Sequence, residues 1–179
     1  MGDSTEPAQE LSGHVAPIDC DLSNEGIESH HMCMVMAVLI SCPHLRRLKL
    51  NGNSIRDAGV GVLARGLLHN SSLQELGLAR NFVTKLDLAG QRCPGALGPG
   101  GVEALAAALR NNTTLQELDI GGNDIRTQGA AALGSMLRAA SSRGGALRRL
   151  SLCDNGLEAS VMRVLQTAAS EYKGLSLVV

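Results

Sequence analysis

The sequence predicts an α/β solenoid, which is a row of short parallel strands that are each followed by a helix. Three observations support this: a repeated motif, a change of apolar spacing inside each motif, and an aliphatic composition with no Trp, one Tyr and one Phe. The clearest copy of the motif is LQELDIGGNDIRTQGAAALGSML at 115–137. Its apolar residues first alternate, as in a half-buried strand, and then recur about every four residues, as in a helix.

The same motif returns elsewhere in the chain, with leucines and an asparagine at matching positions. Further copies begin at Leu45, Leu73 and Leu147, and a degenerate copy in the same register covers 17–44. A final step of 28 residues from Leu147 reaches LSLVV, where a terminal strand begins. One unit cannot bury both its strand face and its helix stripe, so the copies are expected to stack and share a core.

The repeat domain is predicted to cover 15–179, after a polar, flexible N-terminal tail at 1–14. Its approximate units are 17–44, 45–72, 73–114, 115–146, 147–174 and the terminal strand 175–179. The third unit carries an insertion at 84–97, interpreted as a loop excursion such as a hairpin rather than an extra repeat. The fourth unit is longer by four residues, and this excess is placed in a Ser/Gly-rich surface loop at 138–146.

The motif LxxLxLxxNxIxxxGxxxLxxxL at 28-residue spacing resembles leucine-rich-repeat proteins of the ribonuclease-inhibitor-like class, over roughly 15–179. That class includes ribonuclease inhibitor, the sensor domains of nucleotide-binding immune receptors, and Ran GTPase-activating protein. The resemblance implies a right-handed horseshoe with a concave parallel sheet, helices on the convex side, and a role in binding other proteins. It names no partner, because function depends on sites rather than on the fold.

An asparagine follows the strand in four of the repeats, and we predict that these residues form a structural ladder. They are Asn53, Asn81, Asn123 and Asn155. At this position the side chain turns inward. Its amide can then bond backbone groups that the sharp turn would leave unpaired.

The concave face is the predicted binding surface, and it is built from the strand residues between the leucines. The candidates are Arg46, Arg47, Lys49, Gln74, Glu75, Gln116, Glu117, Asp119, Arg148 and Arg149. Such a charged surface would provide specificity and rapid association. The alternative interpretation is that neighbouring strands neutralise each other, with Asp21 beside Lys49, Arg47 beside Glu75, and Glu117 beside Arg149.

The insertion is a second candidate for binding, because loops held by a rigid scaffold often carry function. Its candidate residues are Lys85, Asp87, Gln91 and Arg92. The alternative is a loop that is merely tolerated.

The two ends of the solenoid are further candidates for association. The first helix, at 32–42, carries no charge, and a helix that is apolar on all sides requires a cover, either the N-terminal tail or a partner. His31 and Val35 are predicted on its inward stripe, with Cys33 and Met36 outward. The C-terminal strand presents an unprotected edge that a partner or a second copy could cover.

Composition narrows the class of function. The net charge of −1 argues against nucleic acid or anionic membrane as a partner, and the longest apolar run is too short to cross a bilayer. The five scattered cysteines indicate free thiols in a reducing cytoplasm. No catalytic, phosphate-binding or metal-ligand motif is recognisable, so we predict no enzymatic activity, no cofactor and no metal.

The predicted function is a non-enzymatic protein–protein interaction module, as a scaffold or subunit of a larger intracellular assembly. Its partners are other proteins, and its location is cytoplasmic, with a cytoskeletal or other assembly-associated site also compatible. The alternative is a regulatory accessory protein of a small GTPase or an innate-immune receptor.

Overall fold

The computed structural model describes residues 16–81 and 100–179, in which strands and helices alternate. The strands are β1 (Ile18–Asp21), β2 (Leu45–Lys49), β3 (Glu75–Gly77), β4 (Glu117–Asp119), β5 (Arg149–Ser151) and β6 (Ser176–Val178). The helices are α1 (Met32–Ser41), α2 (Arg56–Leu67), α3 (Gly101–Leu109), α4 (Arg126–Ser141) and α5 (Ala159–Glu171). A 3-10 turn, Ser29–His31, precedes α1. The tail 1–14 and the insertion 84–97 lie outside the described residues.

The strands form one open sheet in chain order, and every neighbouring pair is parallel. Helices that are consecutive in the chain pack against each other in the same order. Each unit therefore contacts the units on either side of it, as in a solenoid. The predicted α/β repeat solenoid is confirmed.

The core lies between the sheet and the helices. The central leucines of four strands, Leu48, Leu76, Leu118 and Leu150, lie opposite one another in register and are buried. They belong to one continuous cluster that also contains the inward residues of the helices. Since each buried leucine contributes about 1.5–3 kcal/mol, this stacking supplies the stability that a single unit lacks.

The eighth residue of each repeat unit, in the turn that follows the strand, has the left-handed backbone conformation. These residues are Asn24, Gly52, Arg80, Gly122 and Asp154, with φ between 56° and 67°. Glycine is required at position 52, because an added Cβ would overlap the Asn24 side chain. Arg80 and Asp154 adopt the same conformation at a cost of about 1 kcal/mol.

The predicted phase of the first helix is wrong in part. Met32 and Leu39 are the buried residues of α1, Val35 and Met36 are half-buried, and His31 is exposed. Because α1 is apolar on all sides, its sequence does not mark the inward stripe. The structure gives α1 the same stripe as α2, where the equivalent residues Val60 and Ala64 are buried.

Two other local predictions also differ from the structure. The extra length of the fourth unit lies largely in the helix rather than in a loop, since α4 has 16 residues and runs to Ser141. The last strand departs from the 28-residue count, because Leu177 rather than Val178 lies opposite Leu150. Gly174, with φ of 84°, turns the chain just before this strand, and the one-residue shift places a leucine toward the core.

Candidate protein-binding face

The exposed side of the sheet, here called the strand face, carries the side chains between the buried leucines. Its first half is held together by ion pairs across β1, β2 and β3. The Arg47 Nε lies 2.6 Å from Glu75 Oε1, and Nη1 lies 2.7 Å from Asp19 Oδ2. The hydrogen bond to Glu75, followed by that to Asp19, raises the pKa of Arg47. Arg47 is therefore engaged on both sides.

Other charges in the first half also have partners within the protein. Lys49 Nζ lies 3.8 Å from Asp21 Oδ2. Hydrogen bonds from Ser23, followed by the charge of Lys49, lower the pKa of Asp21. Arg46 leaves the face altogether, because its Nη1 donates to the backbone oxygen of Ser72 at 2.8 Å.

The second half of the strand face differs. Four exposed residues of β4, β5 and the positions just before them form what we call the open patch: Gln116, Glu117, Arg148 and Arg149. Glu117 and Arg149 are opposite in register, yet their charged groups make no ion pair. Among the residues that the structure describes, none of these four side chains has a hydrogen-bonded or ionic partner.

The order of charges along the sheet gives the two halves different neighbours. From β1 to β5 the aligned residues are Asp19, Arg47, Glu75, Glu117 and Arg149. Adjacent strands are about 4.8 Å apart, so Glu75 and Glu117 are neighbouring like charges. Arg47 compensates Glu75, whereas Glu117 and Arg149 remain available to charges from outside.

The remaining strand-face candidates are arranged around these two groups. Asp119 Oδ1 accepts a hydrogen bond from the Gly121 backbone at 3.0 Å and shapes the turn after β4. The backbone oxygen of Gln74 accepts from Gln116 and Glu117 at 2.7 and 2.9 Å, which joins β3 to the open patch. The loop candidates Lys85, Asp87, Gln91 and Arg92 lie outside the described residues.

The four asparagines of the ladder lie beneath the strand face and are 0–2% exposed. Asn123 Nδ2 donates to the Leu78 and Ile120 oxygens at 2.9 and 3.0 Å, and its Oδ1 accepts from the Asn81 backbone at 2.7 Å. Asn53 and Asn155 likewise bond their own strand end and the preceding unit. Each side chain thus links two consecutive turns and satisfies their backbone groups.

Sequence reasoning missed a second set of linking residues, at the turns from helix to strand. Asn70 Oδ1 accepts from the backbone of Ser72 and Leu73 at 3.1 and 2.8 Å. Asn112 Oδ1 accepts from Thr114 and Leu115 at 3.0 and 2.8 Å. The signal was present as Asn-Ser-Ser-Leu at 70–73 and Asn-Thr-Thr-Leu at 112–115.

The two ends of the described solenoid differ in how their apolar residues are covered. At the C-terminal end, Tyr172 is 3% exposed and its hydroxyl accepts from the Leu147 backbone at 3.1 Å. Burial raises the pKa of this phenol. At the other end an apolar cleft of about 330 Å³ opens between β1 and α1. Nearby on α1, Met34 and Val38 are 72% and 50% exposed.

The described ranges, 16–81 and 100–179, hold no group of three or more His, Cys, Asp or Glu residues with the geometry of a metal site. None of their helices is long and apolar enough to cross a membrane. Cys20, Cys33, Cys42 and Cys153 are free thiols.

Comparison with known proteins agrees with this architecture. A family model described as leucine-rich repeat matches residues 41–64 and 111–134. Each of these segments holds one strand, β2 or β4, with its turn and the start of the next helix. The chain is a leucine-rich-repeat solenoid. No curated protein matches this chain significantly.

Solved structures of other proteins share this fold. One similar structure is described as leiomodin-1 actin-binding site 2. The match has a TM-score of 0.60 and 17% sequence identity, and it covers 86% of this chain and 79% of that one. At this identity the likeness concerns the fold.

Proposed function

We propose that this solenoid is a non-enzymatic module that binds another protein through the open patch on its strand face. The observation that carries the proposal is the contrast between Arg47, which is ion-paired on both sides, and Glu117 and Arg149, which face each other unpaired. Paired charges have little to gain from a partner. The unpaired ones can form new ion pairs without first breaking internal ones.

The chemistry of the patch indicates the kind of partner. Arg148 and Arg149 supply two cationic groups beside the carboxylate of Glu117, so a complementary surface carries acidic residues flanking a basic one. The described strand face has no aromatic side chain to act as an anchor. We therefore expect association of modest affinity that weakens as salt concentration rises.

The spacing of the repeats supports a proposal about the class of leucine-rich-repeat protein. We propose membership of the ribonuclease-inhibitor-like class, since most units are 28 residues long and return through an α-helix. A role as a scaffold or subunit of an assembly in the cytoplasm suits a surface of this polarity.

A charge-reversal experiment tests the proposal. Affinity capture with Arg149→Glu is compared with Arg163→Glu, an identical change at an exposed arginine of α5, on the helix side. Both variants are expected to keep the wild-type melting temperature. Loss of captured proteins with Arg149→Glu alone supports the open patch, and identical capture by all three proteins refutes it.

Actin is a defined first probe, because the similar leiomodin-1 segment is described as an actin-binding site. Titration of actin against the wild-type chain, Arg149→Glu and Arg163→Glu measures whether it is a partner. Binding that only Arg149→Glu weakens would assign actin to the open patch.

A further inference from the structure

Ser176 of β6 completes the row of aligned residues that crosses the strand face. Arg47 lies opposite Glu75 on the strand that follows it, and the two form an ion pair with Nε 2.6 Å from Oε1. In the same way, Arg149 lies opposite Ser176 on the strand that follows it. Ser176 therefore lies in the place beside Arg149 that Glu75 occupies beside Arg47, but it carries no charge.

The surroundings of the exposed Ser176 side chain are rich in unpaired positive charge. Its hydroxyl has no hydrogen-bond partner among the residues that the structure describes. Arg148 reaches the turn before β6, because its Nη1 would lie 3.9 Å from a Cβ added at Gly174. Neither Arg148 nor Arg149 is ion-paired within 16–81 and 100–179, and Lys173 is a further exposed cation three residues before Ser176. An anionic group on the hydroxyl would therefore lie near two free guanidinium groups.

A phosphoryl group on this hydroxyl has the dimensions of the missing carboxylate. In phosphoserine, the Oγ and phosphorus atoms take the places of Cγ and Cδ of a glutamate, so the anionic oxygens lie at a similar distance from the backbone. The group carries a charge of about −1.5 to −2 at pH 7, and an arginine can bind it through two parallel hydrogen bonds. Phosphorylated Ser176 would therefore make with Arg149 the contact that Glu75 makes with Arg47.

We propose that Ser176 is a phosphorylation site and that its phosphoryl group closes the open patch by binding Arg149. This inference rests on the proposed function, because it concerns the regulation of the same patch. In the phosphorylated protein, an acidic partner has to displace an internal anion before it can bind Arg149. The added negative charge also repels acidic groups of the partner directly. The unmodified protein is the form that binds.

The modification requires ATP and a protein kinase. The Ser176 Oγ attacks the γ-phosphorus of ATP, its proton passes to a base of the kinase, and the bond to the β-phosphate oxygen breaks to release ADP. The position of β6 favours access, because this strand has three residues and pairs only with β5 in the part of the chain that the structure describes. Short edge strands open locally more easily than central ones. Lys173 adds positive charge before the serine, and kinases select substrates by such charge patterns.

The first experiment measures whether the modification occurs. The full chain is incubated with ATP, phosphatase inhibitors and an extract of cells that express it, and phosphate is located by peptide mass spectrometry. Phosphate is expected on Ser176. A reference peptide with a basic residue three positions before its serine controls for kinase activity in the extract. Phosphorylation of that peptide without phosphate on Ser176 overturns the proposal.

The second experiment measures whether the phosphoryl group closes the open patch. Phosphoserine is incorporated during synthesis in place of Ser176 or, as the matched control, in place of Ser135 on the exposed side of α4. Only proteins that wild type captures and Arg149→Glu loses are counted. Phosphoserine at position 176 should reduce their capture at least about tenfold, whereas the control and Ser176→Ala should capture them as wild type does. Equal capture by all four proteins overturns the regulatory role and leaves the proposed function intact.

A third measurement requires no partner and distinguishes failure of this inference from failure of the proposed function. The NMR signal of the Arg149 Nε–Hε group should shift when Ser176 is phosphorylated, whereas that of Arg163 on α5 should stay in place. An Arg149 signal that does not move overturns the inference, even where Arg149→Glu still loses its captured proteins. A shift of the expected kind supports the internal pairing, even where Arg149→Glu loses none and the proposed function fails.

Discussion

The asparagine ladder and the strand face are two rows of side chains that run across the same repeats, a few ångströms apart. The buried row has the same residue in four units, and each copy donates to the equivalent backbone oxygen of the preceding unit. The exposed row changes from unit to unit, as Asp19, Arg47, Glu75, Glu117 and Arg149. The backbone turn is similar in these four units and requires the same side chain inside, whereas no such requirement acts on the side chains that face solvent.

The energies of the two rows differ for the same reason. Each ladder asparagine satisfies backbone groups that water cannot reach, so its removal leaves several of them unpaired at about 1–3 kcal/mol each. A surface ion pair contributes about 0–1 kcal/mol. Stability should therefore depend on the ladder, and partner choice on the strand face.

Asn123→Leu gives the largest expected effect. The free energy of unfolding should fall by more than about 2 kcal/mol, because the oxygens of Leu78 and Ile120 and the Asn81 backbone N–H lose their partner. Denaturant unfolding measures this change. Gln116→Leu, in the same unit but on the exposed strand face, should change the value by less than about 0.5 kcal/mol. An Asn123→Leu melt that matches wild type would contradict the comparison.

Tyr172→Phe should lower the free energy of unfolding by about 1 kcal/mol, since the hydroxyl accepts from the buried Leu147 backbone. The raised phenol pKa adds a dependence on pH. Because the folded state favours the neutral phenol, wild-type stability should be constant below the reference pKa of 10.0 and fall as pH rises above it.

The variant supplies the control for that pH dependence. The free energy of unfolding of Tyr172→Phe should lack the fall at alkaline pH that ionisation of Tyr172 causes in wild type. Tyr172 is the sole tyrosine of the chain, so the absorbance of tyrosinate reports its ionisation directly. Ionisation at or below pH 10 would contradict the burial of its hydroxyl.

Arg80→Gly tests a position where the repeated backbone geometry opposes the side chain. Glycine adopts a φ of 56° without strain, and the gain is partly offset by the greater freedom of glycine in the unfolded chain. A net stabilisation of about 0.5 kcal/mol is expected. Thermal unfolding of Arg80→Gly is compared with that of Arg80→Ala. Because alanine keeps the strained backbone, the comparison separates the backbone effect from loss of the side chain. Destabilisation by glycine alone would show that strain is absent.

Arg47→Ala is expected to have the smallest effect. Arg47 holds Asp19 and Glu75, but all three are exposed enough for water and salt to replace the interaction. The unfolding midpoint should stay close to that of wild type and lose its slight dependence on salt. A large loss of stability would mean that the exposed row, like the buried one, supports the fold.

Much of this architecture was readable from the period of the sequence. The leucines of each strand and the four asparagines recur at fixed positions, and a periodic backbone needs the same residue at the same place. The departures were harder to locate. The inward stripe of α1 is not visible in a helix that is apolar on all sides, and the start of β6 depends on Gly174, which leaves the apolar pattern unchanged.

The candidate site, like the fold, was predicted from the sequence only in part. Sequence alignment of the strands already paired Arg47 with Glu75 and Glu117 with Arg149. It did not distinguish the pair that forms from the pair that stays open, because that depends on side-chain directions and on the competing partner Asp19.

By itself the sequence determined the repeat, the parallel order of the strands and the buried ladder, since these follow from backbone hydrogen bonding and apolar burial, which are local and periodic. The tertiary structure decided which charges remain free and which core positions lack a cover. Those properties arise between units, where a long side chain chooses among several neighbours and where the end of a stack differs from its middle.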